Sequence, residues 1–234
     1  MMSRRSFLLI IASIDILAIT AALILGEAPD QYFEEEGFIT YLSFLQLLVV
    51  SAFAWNIFRL KNKNKGLLEL KTWKAPHFIW LIIAMGFVYL ALDEALMVHE
   101  NIDRIIHAVF RIPETSITDR VDDAIVALYG LIALIVLYRY REELNTYSEA
   151  FPLFKVGFVL LFSSAVIDVF PKEDVLALLI SKRYRVTRLR RWLKAIEESF
   201  KLTSEGAFMG AFYYCLEITR KFVRQPPNKV EEVT

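Results

Sequence analysis

PHFIWLIIAMGFVYLALDEALMVHENIDRIIHAVF, Pro76–Phe110, is the stretch that decides the fold. From Pro76 to Val98 it supplies the roughly 20 apolar residues that an α-helix needs to cross a hydrocarbon core of about 30 Å. Pro76 suits a helix start, because proline lacks the N–H that the first turn leaves unpaired anyway. The run ends in Asp93-Glu94, then His99-Glu100, Asp103 and His107. Two of the chain's three histidines lie here. Acids and imidazoles at one end of a membrane helix are costly there and mark a candidate site.

Other apolar blocks repeat the pattern. The chain has 234 residues, 56% of them apolar, above the roughly 45–50% of an ordinary soluble domain. Charge amounts to 23% and is clumped between the apolar blocks, as in spans joined by polar loops. Phe7–Leu25 is longer than the roughly 7–15-residue core of a cleaved signal peptide, so it reads as an uncleaved first span with Asp15 near its middle. Phe38–Phe58 is the second span and Pro76–Val98 the third. Pro113 breaks the chain, and Asp119 with Asp122 caps the fourth span, Val121–Tyr138. Pro152–Phe170 is the fifth. Trp192–Thr219 is the sixth, polar in its first third and apolar from Gly206. These lengths fit helices; barrel strands would be about 10 residues long with alternating polarity. The fold predicted is all-α, a polytopic transmembrane bundle of about six spans in a single domain, residues 1–222. A polar, disordered tail follows over 223–234.

Basic loops stay cytoplasmic. The N-terminus is basic, Gly26–Gly37 acidic, Arg59–Lys74 basic, and Arg139-Tyr140-Arg141 basic, which places both termini in the cytoplasm. Ser181–Lys194 disagrees, since it is basic yet falls outside. It reads as an interfacial helix with Val186, Leu189 and Trp192 between its bases. Otherwise Phe151–Ile180 is re-entrant and this segment lies inside. Tyr41, Trp55, Trp73, Trp80, Tyr138 and Tyr140 read as interface anchors, as does His77. Cys215, the one cysteine, excludes an intrachain disulfide and reads as a packing residue.

On a single helical wheel of about 100° per residue, Asp93, His99, Glu100, Asp103 and His107 share an arc of about 120°, and Glu94 points elsewhere. Pairs at i+3 and i+4 can meet, whereas His99 and His107, about 12 Å apart, cannot reach one ion. The topology adds Asp122-Asp123, Asp168, and Glu197, Glu198, Lys201 and Glu205 at the same external level. The bland alternatives are a solvated helix face and a salt-bridge network.

Two functions follow. In the first, the protein is a metal-dependent membrane hydrolase acting on a lipid or amphiphile at the external face. His99, Glu100, Asp103, Asp122 and Glu198 then hold a divalent metal (zinc, iron or manganese), and Asp93 or Glu197 is the catalytic base. In the second, it is an ion- or proton-coupled transporter or channel using Asp15, Asp93, Lys155, Asp168 and Glu205. A non-catalytic membrane sensor or scaffold is the remaining class. The partners expected are membrane lipid and further copies in a homo-oligomer, with no nucleic acid, since the net charge is zero. The location expected is a bacterial-type plasma (inner) membrane.

Overall fold

The computed structural model describes residues 3–34, 37–62, 75–111, 121–169 and 183–224. Every regular element among them is helical. In chain order they are α1 (Arg4–Leu25), α2 (Phe38–Lys61), a 3-10 turn (Pro76–Phe78) leading into α3 (Ile79–Leu96), α4 (Val98–Phe110), α5 (Val121–Arg139), α6 (Arg141–Asn145), a second 3-10 turn (Ser148–Ala150), α7 (Phe151–Val169) and α8 (Arg183–Arg224).

Local chemistry sets several boundaries. The Ser3 hydroxyl accepts from the Ser6 N–H at 3.1 Å and caps α1. A side chain at Gly37 would run into the Tyr32 backbone, so glycine permits the tight entry into α2. Four helical stretches are long and apolar enough to cross a membrane: Arg4–Leu25, Phe38–Lys61, Pro76–Leu96 and Ser148–Asp168. Ala124–Arg139 is apolar but shorter. Their outward faces carry exposed Leu9, Leu17, Met85, Leu134 and Phe162, which suits contact with acyl chains better than with water.

The bundle is organised round α8, which packs against α1, α2 and α7. α8 runs antiparallel to α1. Phe7 stacks on Tyr213 near the start of α1, while Ala22 near its end shares an apolar cluster with Ala195. One apolar core gathers Val50, Ala54 and Ile57 of α2, Trp80 and Ala84 of α3, and Phe208, Phe212 and Cys215 of α8. A smaller cluster holds Ala22, Phe33, Ile39, Ala195 and Leu202 towards the other end. Polar side chains fill the gap between the two.

Three expectations change. The stretch through Asp93 and His107 is not one helix: Met97, in the left-handed region at φ 50°, separates α3 from α4. A single wheel therefore fails across it. From Arg183 onward the basic segment is continuous with the sixth apolar segment, making one helix of 42 residues. At 1.5 Å per residue it spans about 63 Å, twice a hydrocarbon core. Trp80 is no interface anchor but a core residue, 1% exposed, whose indole donates to Glu143 at 2.9 Å. Asp119, the 223–234 tail except for Val223 and Arg224, and most of the Arg59–Lys74 loop lie outside the described residues.

Candidate functional site

The bundle has two chemically distinct ends. At one end Arg4 stacks over Tyr214, which bonds Glu149; Lys61 pairs with Glu143; and Tyr147 bonds Thr219 at 2.9 Å. This end gathers the start of α1 and the ends of α2 and α8. At the other end lie Glu27, Asp30 and Glu34, together with Asp93, Glu94 and α4. Arg191 of α8 approaches Asp30 there at 3.8 Å. Several of the acids predicted to share one level do meet at this end, through specific partners.

The left-handed residue Met97 redirects the chain between α3 and α4. Asp93 accepts from the His99 backbone N–H at 2.8 Å and contacts the imidazole Nδ1 at 3.0 Å. A continuous wheel puts these two residues about 120° apart; the left-handed turn brings them together. Glu100 binds Arg104 at 3.1 Å, and Asp103 faces His107 at 3.4 Å, the i+4 pair expected from spacing. Glu94, which points away from the others on the wheel, is the residue that reaches α8: Lys201 contacts it at 2.9 Å.

Along α8 the polar residues alternate in sign. Lys194 contacts Glu197 at 3.2 Å and Glu198 at 2.9 Å; Lys201 contacts Glu198 at 2.8 Å. Steps of three and four residues stack these groups on one helix face, so each lysine lies beside carboxylates of a neighbouring turn. By side chain, Lys194 is 41% exposed and Lys201 26%, with Glu198 at 9% between them. The outer lysine is thus the more exposed of the two.

The ladder ends among deeply buried groups. Glu205, one turn beyond Lys201, is 6% exposed, and its Oε1 accepts from the Ser43 hydroxyl at 2.8 Å. One turn on from Ser43, Gln46 donates to Asp15 at 2.5 Å. Asp15 is 2% exposed and lies against Gly206, whose missing side chain makes room for its carboxylate. Asp15 falls about midway along the 22-residue α1, a helix long and apolar enough to cross a membrane. Two atoms in this cluster, Gln46 Oε1 and Glu205 Oε2, are buried without a hydrogen-bond partner among the described residues. A buried acceptor left unpaired costs about 1–3 kcal/mol, so such atoms are kept only where something offsets them.

The predicted metal set fits poorly. Among the described residues no three His, Cys, Asp or Glu side chains are placed to hold one ion. His99, Glu100, Asp103 and Glu198 are each engaged by a different neighbour. Glu197, proposed as a base, pairs with Lys194. The side chain of Asp122 lies outside the described residues. Lys155 and Asp168, named for a transport route, are exposed on α7 and do not join the buried cluster. The partner of Asp15 is Gln46. Gln46 and Ser43 are hard to single out in the sequence because they are uncharged residues inside an apolar run; their i+3 spacing, one helix turn, is the available signal.

No curated protein and no solved structure matches the chain. Residues 7–216 match a family model described as "Domain of unknown function (DUF8692)", covering every element from α1 through most of α8. The chain that carries this buried polar cluster thus belongs to the DUF8692 family.

Proposed function

We propose that the protein is an ion- or proton-coupled transporter or channel, crossing a bacterial-type plasma membrane six times with both termini cytoplasmic. The observation that carries this reading is the Asp15–Gln46 and Ser43–Glu205 cluster, buried inside the bundle and joined to one end by the Lys194–Glu198–Lys201–Glu94 ladder. Ionisable groups in a span are expensive and characteristically mark an ion route. Beyond Asp15 the α8 face turns apolar, with Phe208 and Phe212 in the large core. Polar groups thus extend from one end of the bundle to its middle and stop there, the arrangement an ion route closed on one side would have. Six crossings are supported by α5 and α8 lying in the same bundle as the four longer apolar stretches. Cytoplasmic termini are supported by Arg4, Arg5, Arg59, Lys61, Arg139, Arg141, Lys221 and Arg224 gathering at one end.

Topology has a direct test. In a Cys215→Ala background, cysteines at Glu27 and Glu142, both exposed, are expected to label from opposite sides of sealed membranes with an impermeant maleimide. Labelling from the same side refutes the arrangement.

The transport reading is tested by reconstituting the full chain in lipid vesicles and imposing a potassium diffusion potential. Flux of protons, sodium or potassium above that of protein-free vesicles is expected, with Asp15→Asn lowering it. No flux of any of these ions removes the reading and leaves the sensor or scaffold class. The metal-dependent hydrolase has less support, because its ligands are paired with other neighbours. Equal, negligible metal content in wild type and His99→Ala would close it.

A further inference from the structure

We infer, resting on the transport reading above, that the coupling ion is a proton, bound and released by the carboxyl group of Glu205. The site is set by groups from four elements. Ser43 of α2 donates to Glu205 Oε1, and Lys201 and Glu198 of α8 and Glu94 of α3 act on it through their charges. Asp15 of α1 lies against Gly206, the next residue, and is held by Gln46 of α2.

Three features select a proton over a metal cation. First, Oε2 of Glu205 is buried without a hydrogen-bond donor among the described residues. As a carboxylate it would carry charge on an unsatisfied atom in a low-dielectric interior; as a neutral acid it would not. Second, the adjacent Lys201 ammonium already neutralises part of the acidic charge, contacting Glu94 and Glu198 at 2.9 Å and 2.8 Å. A metal ion entering there would need several oxygen ligands beside a fixed cation, whereas a proton needs only the one carboxylate oxygen of Glu205. Third, among the described residues the carboxylates and imidazoles do not converge in threes on one point, as a site for a divalent or transition metal would.

The step balances simply. A proton from water at the acidic end bonds to Oε2 and the carboxylate becomes a neutral acid. Release reverses this, with no other bond made or broken. With Glu205 neutral, Lys201 faces Glu94 and Glu198 alone; with Glu205 ionised, three carboxylates compete for it. Protonation therefore changes the force between α8 and α3 through the Lys201–Glu94 contact. That is how occupancy of the site would reach the helix packing.

The test uses the full chain in vesicles loaded with a pH-sensitive dye, together with infrared difference spectra of the same protein between acid and alkaline buffer. The expected result is proton flux that persists when sodium and potassium are replaced by a large organic cation under an imposed pH gradient. It falls to the protein-free rate in Glu205→Gln. The spectra are expected to show a neutral-carboxyl carbonyl band that disappears in Glu205→Gln and shifts in Glu205→Asp. Sodium or potassium flux that is insensitive to pH and to Glu205→Gln overturns the inference and leaves the transport reading standing. Absence of all ion flux overturns both. An infrared band unchanged in both variants overturns the assignment to Glu205 even where proton flux is present. Should Glu205→Gln not fold, the Glu205→Asp shift decides the assignment alone.

Discussion

Lys201→Met is expected to destabilise the folded bundle by about 3–5 kcal/mol, the cost of removing one partner from a buried ion-paired group. The lysine contacts Glu94 on α3 and Glu198 on its own helix. Methionine fills much of the same volume, so the loss comes from charge. Glu198, 7% exposed, would keep only the Lys194 contact, and Glu94 would lose its ion pair to α8. Against a total stability of about 5–15 kcal/mol for a typical domain, this is a large fraction. Thermal unfolding in detergent, followed by loss of helical circular dichroism, measures it. The triple change Lys201→Met, Glu94→Gln and Glu198→Gln is expected to recover most of the loss, because a neutral set has no charge to strand. A single variant as stable as wild type would show that the ladder does not hold α3 to α8.

Gly206→Ala is expected to cost about 1–3 kcal/mol, the range for forcing extra volume into a packed interior. Its methyl group would overlap Asp15 Oδ2 and stand 2.9 Å from Ile11 Cγ2. Neither neighbour has an easy retreat, since Asp15 is held by Gln46 at 2.5 Å and Ile11 is 4% exposed. α1 would have to move off α8, pulling Asp15 from Gln46. Gly210→Ala is the control. Its added atom meets the tip of the flexible Leu8 side chain, which can rotate away, so a smaller loss is expected. Equal losses at the two glycines would refute the close Asp15–Gly206 contact. Together the two glycines form the GxxxG that allows close helix approach.

Asp15 and Gln46 show how far the sequence reaches. Asp15 is visible as a charge in an apolar run, and the cost of such a charge in lipid predicts that it faces the bundle. That holds, because the rule depends on one residue and its solvent. Its partner is not legible. Gln46 lies 31 residues further on, in a different helix, and nothing between them fixes the rotation of α2 about its axis. The α8 stripe is legible for the opposite reason. Lys194, Glu197, Glu198, Lys201 and Glu205 lie on one uninterrupted helix, where period alone places neighbours.

The opening stretch divides along the same line. Its apolar run, its proline start and the charges that close it determined a membrane-length helix with an ionisable end, because length, hydropathy and helix geometry are local quantities. The pairing of those charges was decided only by tertiary structure. One residue at positive φ, Met97, turned the chain and brought His99 to Asp93, while packing of α3 on the bundle sent Glu94 to Lys201. A wheel assumes a continuous axis, and a single left-handed residue removes it. Which carboxylates face each other across helices depends on axial rotation and depth, and both are set by all the packed side chains together.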